Sequence, residues 1–296
     1  MLYASIDIGS NAVRLLFANA YDKDGYINVE KATIIRIPVR LGMDVFREKM
    51  ISEKREMALI KTLQTFRLLI DVYKPVAYKA CATAAMREAG NGKDIIKKIR
   101  SKVGIKVKII DGIEEANIIR SISRFDLFGD KDLWMFIDVG GGSTEISLVS
   151  DNQLMDIKSF KIGTIRLLEK KVKQSEWEKM VEWLNQFRSE FDKIGVIGSG
   201  GNINKIAKIY GTPQEKKISV DALEDAYNHL TSFSVEERIE NLGLRSDRAD
   251  VIVPAARIFL KILNTIEADR ITVPKIGLAD GLIYKMYEKH LKNQQK

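Results

Sequence analysis

Apolar residues gather in short blocks over the first forty positions. Leu2–Ile8 is one block, closed by Gly9-Ser10-Asn11, and Ala12–Ala20 follows at once as a second. That spacing predicts two buried strands joined by a tight glycine turn. Tyr26–Pro38 reads as a third strand. From Glu53 to Tyr73 the period changes. Met57, Ile60, Leu63, Phe66, Leu69 and Ile70 recur at three- and four-residue steps, which predicts a helix. A strand at Val76–Ala82, a helix at Asp94–Val103, a strand at Val107–Ile110 and a helix at Ile113–Ile122 complete the first part of the chain.

The opening pattern then returns. Leu133–Val139 reads as a strand, Gly140-Gly141-Gly142-Ser143 as a turn and Thr144–Val149 as a returning strand. Setting Ser-Ile-Asp-Ile-Gly-Ser-Asn over Phe-Ile-Asp-Val-Gly-Gly-Gly superimposes Asp7 on Asp138, 131 positions later. Recurrence of a whole unit at that distance points to duplication of a domain. Further on come a strand at Gln153–Lys161, a single helix at Ile165–Phe191, a strand at Ile194–Ile197 and a helix at Asn202–Tyr210. Helices that include Val251–Ile266 and Asp280–Leu291 close the chain. Strands alternating with helices predict α/β layers, and the opening hairpins make the sheets mixed.

The length of 296 residues fits two domains. No apolar run reaches the roughly 18 residues of a membrane helix, and Met1–Ile8 lacks a signal pattern, so a cytoplasmic protein without membrane partners is expected. The single Cys81 excludes an intramolecular disulfide, and His229 and His290 offer no zinc spacing. Any metal is therefore expected to be a hard cation on carboxylates. A formal net charge of +8 favours an anionic partner. The basic residues are dispersed, so specific nucleic-acid binding is not expected.

The two Asp-x-Gly turns carry the strongest chemistry. Glycine lets backbone N–H groups approach an anion without a Cβ in the way. Asp7 and Asp138 cannot themselves bind phosphate, and a divalent cation bridging carboxylate to phosphate gives them a role. Glu145, on the strand leaving the second turn, either shares that cation with Asp138 or is an outward-facing charge. Asp111 and Glu114 have capping-box spacing. Glu115 is left over, either as a carboxylate that deprotonates a water or as a solvated first-turn glutamate. Gly198-Ser199-Gly200-Gly201-Asn202 joins a strand to a helix, as an anion site or as a plain turn. Cys81 and Arg87 have the C-x5-R spacing of cysteine phosphatases. The intervening loop lacks glycine, which favours a buried structural thiol.

Asp7-Ile-Gly-Ser-Asn-Ala-Val-Arg14, Ala82-Thr-Ala-Ala-Met-Arg87, Glu114-Glu115-Ala116, Asp138-Val-Gly-Gly-Gly-Ser-Thr-Glu145, Gly198-Ser-Gly-Gly201 and Gly277-Leu-Ala-Asp-Gly281 occur in this order. Together they resemble the exopolyphosphatase/guanosine pentaphosphate phosphatase (Ppx/GppA) family of the actin-like ATPase superfamily. The resemblance implies two actin-like (ribonuclease H-like) α/β domains, mixed sheets flanked by helices, with a cleft between them. Domain I would span 1–122 plus the C-terminal helix from about 281 to 296, and domain II 123–280, hinged near 112–125. It implies hydrolysis of the terminal phosphoanhydride of inorganic polyphosphate or guanosine pentaphosphate with Mg2+ as cofactor. Glu115 would be the catalytic base, and Asp138 and Glu145, with Asp7 as a further candidate, the metal carboxylates. Gly9, Ser10, Asn11, Arg14, Arg87, Gly140, Gly141, Gly142, Ser143, Gly200 and Gly201 would meet substrate phosphates. The resemblance also admits a homodimer. Competing readings are a sensor of guanosine penta- or tetraphosphate and an actin-like ATPase or sugar kinase. Three positions depart from the family pattern: Ala12 stands where a hydroxyl residue is usual, and Pro274 and Ala279 stand where a serine and an arginine are usual, which implies weaker phosphate contacts there.

Overall fold

The computed structural model describes residues 1–122, 131–151, 153–212 and 214–294. Contacts divide the chain into two compact units, Met1–Ser123 with Gly277–Lys296, and Arg124–Ile276.

The first unit opens with the antiparallel strands β1 (Leu2–Ile8), β2 (Val13–Lys23) and β3 (Tyr26–Ile37). There follow α1 (Leu41–Glu48), α2 (Glu53–Tyr73), β4 (Tyr78–Ala82), α3 (Ala84–Glu88), α4 (Gly92–Val103), β5 (Val107–Ile109) and α5 (Gly112–Arg120). The sheet order is β3-β2-β1-β4-β5, with β4 parallel to β1 and β5 parallel to β4. In β1 every residue from Tyr3 to Ile8 is buried, because a central strand is covered on both faces, and Ser5 and Asp7 are the polar residues in it.

The C-terminal helix, Leu278–Gln294, returns to this sheet. Ala279, Ile283, Met286 and Tyr287 pack against Tyr3, Leu16, Ala18 and Ala20. Polar ties reinforce that seat. Ser5 Oγ donates to the Ala279 carbonyl at 2.8 Å, and Lys31 Nζ pairs with Asp280 at 2.9 Å. Burial, opposed by Lys31, pushes the Asp280 carboxyl above the ordinary aspartate range. At Gly281 a Cβ would come within 2.3 Å of the Ile118 carbonyl oxygen, so the helix presses directly on α5. The Gly277–Gly281 motif is thereby explained as packing that fixes α5. Ala279 belongs to the same apolar cluster. An arginine at that position would have to thread its side chain out of this cluster to keep its charge solvated.

The second unit repeats the plan. β6 (Leu133–Val139), β7 (Thr144–Ser150) and β8 (Gln153–Phe160) form an antiparallel trio, followed by α6 (Thr164–Leu168), α7 (Gln174–Arg188), β9 (Ile194–Ser199), α8 (Gly201–Tyr210), β10 (Lys217–Ser219), α9 (Val220–Ser232), α10 (Val235–Glu240), α11 (Ser246–Ala249), α12 (Ile252–Thr265) and β11 (Arg270–Thr272). The order β10-β11-β9-β6-β7-β8 is that of the first sheet with β10 added at an edge. Leu133, Met135 and Ile137 of β6 share one core with Phe259, Ile262 and Leu263 of α12. Both sheets are thus mixed and flanked by helices, as the alternating pattern predicts.

Two expectations need correction. The single helix at 165–191 is two, α6 and α7. Lys170 takes a left-handed conformation (φ 54°), and Val172 turns onto the core. The capping box at Asp111 forms only in part: Asp111 accepts from the Glu114 amide, but the Glu114 carboxylate goes to Lys108. Of the expected hinge at 112–125, Gly112–Arg120 is helix and 123–125 lie outside the described residues. Among the described residues no helix is long and apolar enough to cross a membrane.

Candidate active site

The two glycine turns share one hydrogen-bond plan. The Gly9 amide donates to the Ala12 carbonyl at 3.1 Å, and the Gly140 amide to the Ser143 carbonyl at 2.9 Å. Each turn is then tied by the helix that follows the third strand of its unit. The amides of Arg40 and Gly42, at the start of α1, donate to the carbonyls of Asn11 and Ser10 (3.0 and 2.8 Å). Those of Thr164 and Ile165, at the start of α6, donate to the carbonyls of Gly140 and Gly141 (3.0 and 2.9 Å). Carbonyls held in this way cannot point at an anion, which leaves loop N–H groups to do so. In the second loop the buried Arg166 adds a bond from Nε to the Gly142 carbonyl at 2.8 Å. Gly163 is forced by space: a Cβ there would lie 2.4 Å from Gly142 C and 2.6 Å from Gly141 C. The methyl of Ala12 occupies the position equivalent to Ser143, and it is buried.

The flanking strands differ between the repeats. In the first unit Asp7 lies opposite Arg14 in the β1–β2 register, and Arg14 Nη1 donates to Asp7 Oδ2 at 2.6 Å. In the second, Asp138 lies opposite Glu145, and a carboxylate oxygen of one lies within 4.8 Å of one of the other. Glu145 is buried and accepts from Ser159 Oγ at 2.7 Å, so the outward-facing alternative is excluded. A pair of carboxylates offering hard oxygen ligands fits a Mg2+-like cation. Ser199, in register with Asp138 on β9, donates to the Ile276 carbonyl at 2.9 Å. Beyond it Gly200 has φ 115°, a value side-chain-bearing residues rarely adopt, and Gly201 opens α8 beside the Arg248 guanidinium.

Glu115 is the fourth residue of α5, its amide bonded to the carbonyl of the N-cap Asp111 at 3.0 Å. It is buried, with 8% of its surface exposed, which removes the solvated first-turn alternative. Arg87 on α3 donates from Nη1 to the Ile110 carbonyl at 2.7 Å, bracing the chain just before α5. Cys81 lies opposite Asp7 on β4, buried, and its thiol is pushed up to about 11 by burial, then by the nearby Glu114 and Asp7 charges. A thiol of that kind is protonated near neutrality, with too little thiolate there to serve as a catalytic nucleophile. Cys81→Ser is expected to leave the rate of phosphate release within about twofold of the parent, an inference from the thiol's inertness; a dead variant in the same assay would restore the cysteine mechanism.

Sequence reasoning missed Arg166 and Arg248. Neither sits in a recognisable motif, and isolated arginines do not stand out among 48 basic residues. The only local cue is Gly163-Thr-Ile-Arg166, following a strand in the position that Arg40 and α1 hold in the first repeat.

Known proteins resemble this chain in sequence and in fold. A bifunctional 3-dehydroquinate synthase/phosphatase of Fusobacterium nucleatum subsp. nucleatum is 30% identical over 311 residues, 97% of this chain and 47% of that protein. The chain thus spans about half the length of that curated relative. The crystal structure of the Aquifex aeolicus Ppx/GppA family member superposes with a TM-score of 0.75 at 28% identity, over 98% of both chains. An exopolyphosphatase structure from Cytophaga hutchinsonii gives a TM-score of 0.83 over 98% of both chains at 23% identity, a likeness of fold. The Ppx/GppA phosphatase family model matches residues 33–290, so the chain belongs to that family and its two mixed-sheet units have the family's actin-like fold.

Proposed function

We propose that this protein hydrolyses the terminal phosphoanhydride of inorganic polyphosphate or guanosine pentaphosphate. The observation that carries the reading is the doubled loop: two glycine turns whose carbonyls are tied down by the following helix, with a carboxylate pair beside the second. Membership of a phosphatase family supports it. Loop amides at Ser10–Asn11 and Gly141–Ser143, with the guanidiniums of Arg14 and Arg87, hold phosphate oxygens and stabilise the charge that grows on them. Glu115 holds the attacking water and takes its proton as the water oxygen bonds to phosphorus. The bridging P–O bond breaks and the shortened chain or nucleotide leaves with the electron pair. A magnesium ion held by Asp138 and Glu145 would neutralise charge on the phosphate oxygens. Asp7 we assign to orienting Arg14 rather than to the metal, because its carboxylate is already paired.

The test is phosphate release from medium-chain polyphosphate, guanosine pentaphosphate and ATP, with and without magnesium. Release from the first or second is expected, and chelation with EDTA is expected to abolish it. Binding of guanosine pentaphosphate with no release from any of the three would replace the hydrolase by a sensor.

A further inference from the structure

Within the first unit, away from both glycine loops, a cavity of about 790 Å³ opens along β4, β5, α5 and the C-terminal helix. Its volume lies in the range of pockets that take nucleotide- or drug-sized ligands. The inner wall is apolar: Cys81, Ile118 and Leu282 are all buried. Around them stand four ammonium groups, on Lys79, Lys106, Lys108 and Lys285, against the two carboxylates Asp111 and Glu114. Only Lys108 is committed, through its ion pair with Glu114. Lys79, Lys106 and Lys285 make no ion pair with any described residue.

Sequence and register explain the arrangement. Lys79 and Cys81 alternate on one face of β4, and Lys108 of β5 pairs in register with Cys81, so ammonium groups and thiol share that face of the sheet. Leu282 and Lys285 come from the C-terminal helix one turn apart. Here the excess is positive and the wall is apolar. That pairing selects a ligand with an anionic end and an apolar body. Bare polyphosphate has no apolar body, and a fatty chain would need no ring of cations.

We propose that this cavity is a second ligand site, which binds an organic phosphate of nucleotide size, its phosphates against Lys79, Lys106 and Lys285 and its apolar body on Cys81, Ile118 and Leu282. Because Asp111, Ile113, Glu114 and Asn117 line the same cavity, the ligand rests on the helix that carries Glu115.

The chain supplies its own reporter, since Cys81 is the only cysteine and lies in the wall. Alkylation of Cys81 in the full chain by iodoacetamide at pH 9, followed by mass spectrometry, reads occupancy directly. EDTA is present so that no turnover intervenes. ATP is expected to slow the reaction at least fivefold in the parent, and in Arg14→Ala to the same extent. Lys79→Ala/Lys285→Ala is expected to lose that protection while keeping the parent's unfolding midpoint. Adenosine and tripolyphosphate, each carrying half of the recognition, are expected to protect less than twofold. Three results would each overturn the proposal: no protection by ATP, equal protection by tripolyphosphate, or protection lost in Arg14→Ala and kept in the lysine variant. None of these readouts depends on hydrolysis, so a failed phosphatase reading leaves the test intact.

Discussion

Replacing Glu115 by glutamine is expected to cut phosphate release about a thousandfold, the middle of the range of roughly 10²–10⁴ that a positioned general base contributes. Glutamine keeps the shape and the hydrogen-bonding reach of the side chain but cannot take a proton from water. Because Glu115 is buried in the first turn of a capped helix, an isosteric change leaves α5 in place and the effect falls on chemistry. The sign for binding is opposite: removing a negative charge near an anionic substrate leaves affinity equal or tighter. Rate and binding therefore separate, with the loss in kcat and none in substrate affinity. Two results would sink the assignment: full turnover in the variant, or a loss confined to affinity. The pH profile gives a further check, since the acid limb set by the base should vanish in the residual activity.

On the proposed reading Glu115 is the base and Asp138 and Glu145 serve a cation, and the way the two repeats differ supports the second assignment. Equivalent register positions carry Asp7 opposite Arg14 in one unit and Asp138 opposite Glu145 in the other. The first pair neutralises itself. The second places two carboxylates within 4.8 Å of each other, a repulsion of roughly 3 kcal/mol at an effective dielectric constant of about 20. Next to a loop meant for phosphate, such a pair would repel substrate unless a divalent cation were bound. On that reading one exchange, arginine for glutamate, turns a phosphate loop that brings its own cation into one that would recruit it.

Much of this was legible in the residues, for definite reasons. The strands β1, β2, β6 and β7 are central and carry strong apolar blocks, and the Asp-x-Gly turns repeat, so the duplication could be read without coordinates. The helix at Glu53–Tyr73 was legible to the residue, because its period is regular and Ser52 caps it. Glu115 was not legible from the residues themselves. A glutamate in a first turn looks solvated, and the packing of Gly281 against Ile118, from the far end of the chain, is one of the contacts that set where α5 lies. The break at Lys170 was hidden because Lys-Lys-Val-Lys continues a helix as readily as it ends one. Arg166 and Arg248 were hidden for a different reason. Their positions are set by tertiary contacts to glycines whose missing side chains leave no pattern behind.

The second large effect is expected from Gly163→Ala. Its φ of −145° is open to any residue, so the backbone would not resist the change; the obstacle is space alone. The new methyl would meet Gly142 N at 2.5 Å and Gly142 C at 2.4 Å, and backbone cannot swing aside as a flexible side chain does. Either the second loop moves outward or α6 withdraws, and both break the bonds from Thr164 and Ile165 to the loop carbonyls. Forced overpacking of this kind costs about 2–3 kcal/mol. For a unit of this size that is a fall in Tm of roughly 4–12 °C. Activity should fall further than stability, because the displaced loop would no longer aim its amides at a phosphate. The control is Gly25→Ala. Gly25 has nothing within 4 Å of its Cβ position, although its φ of 78° favours glycine, so that variant is expected to lose modest stability and no activity. Phosphate release and thermal unfolding measured side by side on the two variants decide the matter. A Gly163→Ala protein with parental activity at a temperature where it stays folded would show that the second loop does not hold substrate.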